Sequence, residues 1–386
     1  MNLGVYIQVP FCQSRCTYCN FHTGVVSRDR YQPYARAVCR EIESSELAEG
    51  ATADTVYFGG GTPSLLDPAL LGLVMDSLRR TTNTAAFSEV TLEADPETIS
   101  PRKAEAWLNA GFSRISLGAQ SFHDRELQSA GRLHLREDIY RAVEALRAAG
   151  FRNISMDLIA GLPHQTRESW ESSVAQLLRL LPEHVSIYML EIDEDSRLGR
   201  EALKGGERFS AGAIPDDDSM ADFYEHAAAQ LAAAGYDHDE ISNWGLPGRH
   251  SLHNRKYWRR EPYLGLGAGA HSFNGSQRWA NVHEPDRYVT LVERHGSARE
   301  QFANVFPPDA LSEEFFLGLR QLEGIDFARI EREYDREPWM HDRLAVLRQR
   351  IDQLQSDGFL EVEGERLRIA PGRLTVSNEI FVQLLT

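Results

Sequence analysis

The stretch Pro10-Phe11-Cys12-Gln13-Ser14-Arg15-Cys16-Thr17-Tyr18-Cys19-Asn20-Phe21 follows directly on a strand-like segment and places three cysteines within eight residues. Thiolates are soft ligands that suit iron–sulfur clusters or zinc. A structural zinc site needs four ligands, usually as two pairs, and no second pair follows here. Three thiolates can hold three irons of a [4Fe–4S] cubane and leave the fourth iron open. The stretch therefore predicts a [4Fe–4S] cluster on Cys12, Cys16 and Cys19, with a zinc site completed by His22 as the alternative.

The composition of the whole chain is that of an acidic globular protein. It has 386 residues, enough for two or three domains, and a formal net charge of −16. Such a chain is a poor nonspecific ligand for nucleic acid or anionic lipid, although Arg255, Lys256, Arg259 and Arg260 form a candidate basic patch. The sequence shows no long apolar run and no secretory signal, so we expect neither a membrane anchor nor export. Clustered cysteines in such a chain indicate a metal site in a reducing compartment, the cytoplasm.

Short apolar segments alternate with helical patterns through the first half of the chain. The alternation predicts right-handed βαβ units and a parallel sheet. Six such units predict an α/β fold, an open (β/α)6 partial TIM barrel. The strand-like segments are residues 5–9, 55–59, 90–94, 114–118, 154–159 and 185–190. The clearest helical stretches between them are residues 70–79 and 139–149.

The second half of the chain follows a different pattern. Residues 205–218 predict a surface loop, and residues 220–234 an Ala-rich helix. After Pro307-Pro308, leucine and isoleucine recur at helical spacing up to Gly358, which is a helix-stop signal. Two strand-like segments, 359–362 and 367–369, then flank a glycine as in a hairpin. We therefore predict a barrel core over residues 1–200, a barrel-completing region over 201–306 and a winged-helix-like α+β domain over 307–386.

The residues at the predicted strand ends carry functional groups. In a parallel barrel, the chemistry lies at the carboxyl ends of the strands. The cysteine stretch follows the first strand, and Gly59-Gly60-Gly61-Thr62, whose glycines permit close backbone approach to a ligand, follows the second. Glu93 ends the third strand, Gln120 follows the fourth, and Asp157 lies on the fifth. We expect all of them to face one cavity.

The spacing Cys-x3-Cys-x2-Cys after a first strand resembles the radical S-adenosylmethionine (SAM) superfamily. The resemblance implies that the open iron chelates the amino and carboxylate groups of SAM, and that reduction cleaves SAM to a 5′-deoxyadenosyl radical. It also implies that the glycine turn holds the methionyl amine, Arg132 the methionyl carboxylate, and Phe21 the adenine. Glu93 and Asp157 would accept hydrogen bonds from the ribose hydroxyls or from the amine. The positions that resemble SAM contacts in the coproporphyrinogen-oxidase-like branch are Tyr6, Phe21, Gly60, Gly61, Thr62, Glu93, Gln120, Arg132 and Asp157.

A second motif, His253-Asn254-Arg255-Lys256-Tyr257-Trp258, precedes a glycine-rich turn that leads to His271. The pattern H-N-x-x-Y-W resembles the heme-chaperone family of the same branch, over nearly the full chain. A histidine imidazole is a ready axial ligand for heme iron, and tyrosine and tryptophan offer flat faces to a porphyrin. The resemblance implies heme as bound cargo, with His253, Tyr257 and Trp258 as its contacts and His271 as a secondary candidate. The alternative is that these residues only pack the later domain against the barrel mouth.

Four functions remain open at this point. The first is a heme chaperone with a cluster and SAM that passes heme to apo-hemoproteins, such as respiratory enzymes at the membrane reached through a partner. The second is the oxygen-independent coproporphyrinogen III oxidase, with Tyr6 as a catalytic residue. That family has a further cysteine where this chain has Phe21, and a longer extension than the five residues before Tyr6. The third is radical methylation or opening of heme, and the fourth a DNA-binding regulator with a redox-sensing cluster.

Overall fold

The computed structural model describes residues 2–46, 51–83, 86–336 and 338–385. All six predicted strands are present within a few residues of their expected bounds, and consecutive strands pair in parallel. The open (β/α)6 partial barrel is therefore confirmed. The strands are β1 (Asn2–Val9), β2 (Thr52–Gly60), β3 (Glu89–Ala94), β4 (Arg114–Gln120), β5 (Ile154–Ala160) and β6 (His184–Met189).

Helices connect these strands on the outside of the barrel. They are α1 (Tyr31–Glu43), α2 (Pro68–Thr81), α3 (Pro101–Ala110), α4 (Asp124–Ser129), α5 (Arg136–Ala149) and α6 (Arg167–Leu180). The predicted helices 70–79 and 139–149 fall within α2 and α5. Asp67 caps the start of α2 by accepting a hydrogen bond from the Ala69 amide at 2.8 Å. Gly111 ends α3 with φ of 96°, a left-handed conformation that glycine adopts without strain.

Side chains alternate between the two faces of each strand, which gives the barrel an apolar outer layer and a polar interior. On β1, Val5 and Ile7 are buried in the apolar core shared with the helices, whereas Tyr6 and Gln8 point into the barrel. Tyr57 of β2 lies in the same interior, with its ring stacked on that of Tyr6 at a centroid distance of 6.0 Å. The polar interior continues along the barrel to the carboxyl ends of the strands.

Residues after β6 extend the barrel sheet at both of its edges. The elements that follow β6 are α7 (Arg197–Leu203), α8 (Asp217–Ala233), β7 (Asp237–Glu240), β8 (Asn243–Gly245), α9 (Leu252–Trp258), β9 (Tyr263–Leu266), β10 (His271–Phe273), β11 (Gln277–Asn281), α10 (Pro285–His295) and β12 (Arg299–Asn304). In the described ranges the strand order is β12-β11-β10-β9-β1-β2-β3-β4-β5-β6-β8-β7, and β9 is parallel to β1. The predicted loop at 205–218 includes a short 3-10 helix, Arg208–Ala213.

The C-terminal unit has a hydrophobic core of its own. Leu344, Leu347, Ile351 and Leu354 are buried on one helix face, and Gly358 follows that helix with φ of 74°. The arrangement of helices and a small antiparallel sheet confirms the winged-helix-like prediction. The elements are α11 (Pro307–Gly318), β13 (Ile325–Asp326), α12 (Phe327–Tyr334), α13 (His341–Ser356), β14 (Leu360–Glu363), β15 (Arg366–Ile369) and α14 (Ser377–Leu384).

The candidate basic patch is not a free cationic surface. Each of its side chains is paired with carboxylates: Arg255 with Asp239, Lys256 with Asp54 and Glu261, Arg259 with Glu323, and Arg260 with Glu313 and Glu314. These pairs tie α9 and its flank to the barrel and to α11. No helix in the described ranges is both long and apolar enough to cross a membrane.

Candidate functional site

A cavity of about 450 Å³ opens at the carboxyl ends of the barrel strands. This is the end at which parallel barrels place their chemistry. The cavity brings together all three clustered cysteines and eight of the nine residues that resemble SAM contacts. The predicted residues in its wall are Cys12, Cys16, Cys19, Phe21, Gly60, Gly61, Thr62, Glu93, Gln120, Arg132 and Asp157.

The cysteine loop is held in place by backbone hydrogen bonds on both of its sides. The Cys12 amide donates to the Gly24 carbonyl at 3.0 Å, and the Thr17 amide donates to the Ala130 carbonyl at 2.9 Å. The three thiols are free and partly accessible from the cavity. Burial raises the pKa of the Cys12 thiol to about 11, so iron ligation there displaces a proton.

Three free thiols on one wall fit a [4Fe–4S] cluster better than a single metal ion. Among the described residues, no three His, Cys, Asp or Glu side chains converge to chelate one ion. A cubane does not need such convergence, because each cysteine binds a different iron. The zinc alternative needs the three cysteines and His22 around one ion and finds no support, because no such group converges among the described residues.

The glycine turn after β2 packs directly against the cysteine loop. The Gly60 amide donates to Glu93 Oε2 at 3.1 Å. A Cβ on Gly61 would lie 2.5 Å from the Phe11 carbonyl oxygen and 3.0 Å from Cys12 Sγ. Since any larger residue would push the loop away, the turn sets the position of the first cysteine as well as the cavity wall.

Two carboxylates lie at the inner side of the cavity. Glu93 accepts a hydrogen bond from the Tyr57 hydroxyl at 2.8 Å. Burial, with a contribution from the like charge of Asp157, raises the pKa of Glu93 to about 7. Burial also raises the pKa of Asp157, whose Oδ2 lies 3.4 Å from Ser116 Oγ. A carboxyl that ionises near neutral pH can accept a hydrogen bond from a cationic amine, as the SAM interpretation requires.

Arg132 is held by a residue that the sequence analysis missed. Its side chain is 7% exposed and forms an ion pair with Asp95. The guanidinium also donates to the Gly118 carbonyl at 2.9 Å and lies 3.6 Å from Cys16 Sγ. Asp95 accepts a further hydrogen bond from Thr62 Oγ1 at 3.0 Å. The signal for Asp95 was its position, because it directly follows the end of β3.

Tyr6 lies below the cavity and not in its wall. Its hydroxyl donates to Gln8 Oε1 at 2.8 Å inside the barrel. A Cβ on Gly59 would lie 2.9 Å from the Tyr6 oxygen, so the backbone of β2 covers this hydroxyl closely. Tyr6 is therefore not among the residues of the cavity wall, and the expected SAM contact and catalytic role stay predictions.

The mouth of the cavity has an apolar rim, of which the sequence indicated only Phe21. Phe21, Leu133 and Tyr188 line the cavity and are between 44% and 64% exposed. Large apolar side chains grouped at a cavity mouth are typical of a ligand-binding surface.

Helix α9, with the H-N-x-x-Y-W motif, lies at the opposite end of the barrel. Glu89 at the start of β3 accepts hydrogen bonds from the amides of Leu252 and His253, at 3.0 and 3.2 Å. His253 is completely buried. Its Nδ1 lies 2.9 Å from Thr55 Oγ1, and its Nε2 lies 2.8 Å from the Tyr257 hydroxyl.

His253 offers no open ligand position in this arrangement of α9, and the heme contact on this helix stays a prediction. Both ring nitrogens are engaged, and burial lowers the pKa of this histidine to about 3. A porphyrin could reach neither nitrogen unless α9 left the barrel. Trp258 packs under Arg320, with the guanidinium 4.8 Å from the ring centroid. His253, Tyr257 and Trp258 thus join the barrel to the C-terminal unit at the end opposite the barrel mouth, which the packing alternative had named.

Comparisons with known proteins agree with this fold. The profile of the Radical SAM superfamily matches residues 6–177, and that of the HemN C-terminal domain matches residues 306–372. The solved structure of coproporphyrinogen III oxidase (HemN) from Escherichia coli, described as a radical SAM enzyme, superimposes with a TM-score of 0.85. It shares 23% identity and covers all of this chain and 90% of its own, a likeness of fold alone. The chain is a radical SAM protein, a class that implies a [4Fe–4S] cluster and SAM.

Three curated relatives define the family more closely. The heme chaperone HemW of Synechocystis sp. is 36% identical, over 86% of this chain and 81% of the relative. The heme chaperones HemW of Bacillus subtilis and Mycobacterium tuberculosis are each 34% identical. The alignment with the Bacillus subtilis protein covers 86% of both chains. The alignment with the Mycobacterium tuberculosis protein covers 99% of this chain and 94% of the relative. The chain belongs to the HemW family.

Proposed function

We propose that this chain is a heme chaperone that binds heme and delivers it to apo-hemoproteins, respiratory enzymes at the membrane among them. The observation that carries the proposal is the identity of 34–36% with proteins named heme chaperone HemW, over most of the length of both chains. The likeness to coproporphyrinogen III oxidase concerns the fold and supplies no argument for that activity. Phe21, at the position where the oxidase family has a further cysteine, favours the chaperone.

The cavity residues have separate tasks in this proposal. Cys12, Cys16 and Cys19 hold the [4Fe–4S] cluster, and the cavity beside them takes SAM. The cluster and SAM supply one-electron chemistry when they are bound. Glu93 accepts a hydrogen bond from the amine of the ligand once it is ionised, and it keeps the Gly60 amide in place.

The position of Arg132 determines how the carboxylate end of the ligand is oriented. Its ion pair with Asp95 holds the guanidinium near Cys16 in the cavity wall, where it would pair with the carboxylate of a bound ligand. Asp95 matches the charge of Arg132 before a ligand arrives, so the buried guanidinium is not left unpaired. A carboxylate that enters the cavity shares this cation with Asp95.

The experiment that tests the proposal begins with anaerobic reconstitution using iron and sulfide. Hemin is then titrated in while the Soret band is recorded, and the loaded protein is mixed with an apo-hemoprotein to follow transfer. In parallel, coproporphyrinogen III is incubated with the protein, SAM and dithionite. We expect stoichiometric heme binding and transfer without porphyrinogen turnover. Turnover without stable heme binding would instead establish the oxidase.

A further inference from the structure

A histidine that serves as an axial ligand to heme iron must present a neutral imidazole nitrogen where a broad, flat macrocycle can approach it. The chain has 13 histidines, all within the described ranges. Four of them are exposed, namely His22, His271, His295 and His341. His341 lies in the C-terminal unit, with Nε2 3.0 Å from the Asp335 carbonyl oxygen. His295 ends α10, next to Gly296, where a Cβ would lie 2.6 Å from Ser44 Oγ at the end of α1.

The other two exposed histidines belong to one group at the cavity end of the barrel. His22 lies three residues after Cys19, His271 begins β10, and His283 follows β11. We call these three the rim histidines. The rings of His22 and His283 are 4.5 Å apart and tilted by 47°. Burial, with contributions from the nearby charges of His283 and His22, lowers the pKa of His271, so its imidazole is neutral at pH 7.

The rim histidines are not arranged as a chelating metal site. In the part of the chain that the structure describes, no three ligating side chains converge on one ion. Heme iron differs from a chelated ion, since its axis needs only one or two imidazoles. The Nδ1 atom of His283 is buried without a hydrogen-bond partner, whereas both nitrogens of His253 are occupied.

Two features prepare this end of the barrel for a porphyrin. Phe21, next to His22, is 64% exposed and offers a flat apolar ring at the cavity mouth. The buried carboxylate of Glu41 accepts hydrogen bonds from the Gly267 amide at 3.0 Å and from Asn281 Nδ2 at 2.7 Å. Glu41 therefore fixes the β9–β10 turn and the end of β11, which carry His271 and His283. Glu41 is not one of the cavity residues that have a task in the proposed function.

We infer that the rim histidines ligate the heme iron, with His271 and His22 as the accessible ligands and the porphyrin packed on Phe21. The inference rests on the proposed function, because it names the ligands that heme binding requires. It places heme beside the cysteine loop and the SAM cavity, at the opposite end of the barrel from His253. Heme and the [4Fe–4S] cluster then lie at the same mouth of the barrel.

The test is a hemin titration of the reconstituted full-length protein in four forms: wild type, His271→Ala, the double variant His22→Ala/His271→Ala, and His295→Ala. All three positions are exposed, so the variants should fold. Removing both ligands should raise the Kd for hemin at least about tenfold and shift the Soret band. The single variant should lie between the double variant and wild type. His295→Ala, with its change at the far end of α10, should match wild type.

Two outcomes separate the inference from the function on which it rests. If wild type binds hemin and the double variant binds it with the same Kd and the same Soret maximum, the inference is wrong and the chaperone function stands. If wild type itself binds no hemin, both the proposed function and the inference are wrong. A fifth variant, His253→Asn, should keep the wild-type Soret maximum in its folded fraction, measured by circular dichroism. Loss of the band there, with the double variant unaffected, would assign the iron to His253.

Discussion

Replacing His253 by alanine probes the position of α9 at the amino-terminal end of the barrel. The buried imidazole makes hydrogen bonds of 2.9 Å to Thr55 and 2.8 Å to Tyr257. Each lost hydrogen bond between buried partners costs about 1 kcal/mol. The cavity left by the ring costs about 1–2 kcal/mol more. We therefore expect the free energy of unfolding to fall by about 3–4 kcal/mol, a large effect for one side chain.

The assay is urea unfolding followed by far-UV circular dichroism, under anaerobic conditions. The variant should unfold at a lower urea midpoint with an unchanged slope, since the surface exposed on unfolding is the same. His295→Ala, an exposed histidine on α10, serves as the matched control and should change stability by less than about 0.5 kcal/mol. Equal midpoints for His253→Ala and wild type would refute the burial of this ring and the account of α9.

The same variant has a pH signature. The pKa of His253 is lowered by burial to about 3, against about 6.5 for an unfolded histidine. As the pH falls below 6.5, His253 takes up a proton in the unfolded chain but not in the folded one. The contribution of the neutral side chain to the free energy of unfolding is therefore complete above pH 6.5 and decreases as the pH falls. The loss is about 1.4 kcal/mol per pH unit. The stability gap between wild type and His253→Ala should narrow by about 2 kcal/mol from pH 6.5 to pH 5, and a constant gap would contradict the assignment.

Three further predictions concern the cavity. Cys16→Ser should lose the visible absorption of the cluster on reconstitution, whereas Cys39→Ser, in α1 away from the loop, should retain it. Gly61→Ala should lower the iron content per chain because its Cβ meets the cysteine loop, while Gly72→Ala, which has open space, should load normally; equal iron in both would refute the packing argument. Glu93 has a pKa of about 7 and is ionised above it, so SAM affinity measured by calorimetry should rise about tenfold from pH 6 to pH 8. Glu93→Gln should bind SAM without that pH dependence, and an equal rise in this variant would point to another group.

The sequence alone determined the barrel and most of the cavity, for a physical reason. Strand and helix periodicities are local, and parallel pairing places the carboxyl ends of consecutive strands side by side. Residues at those ends, such as Gly60, Glu93 and Asp157, therefore had to meet the cysteine loop. The same local signals, helical spacing followed by Gly358 and a hairpin, located the C-terminal unit.

Only the tertiary structure decided the burial and the partners of the histidines, because these depend on contacts between distant segments. H-N-x-x-Y-W specifies an imidazole beside two aromatic rings, a pattern that suits a heme ligand and a packed core equally well. The docking of α9 onto β2 and β3 placed His253 in the core. The rim histidines come from three separate elements, joined by the return of β10 and β11 to the cavity end, and no spacing in the sequence marks them as a group. The pairing of Asp95 with Arg132 is likewise a long-range contact that strand ends alone do not specify.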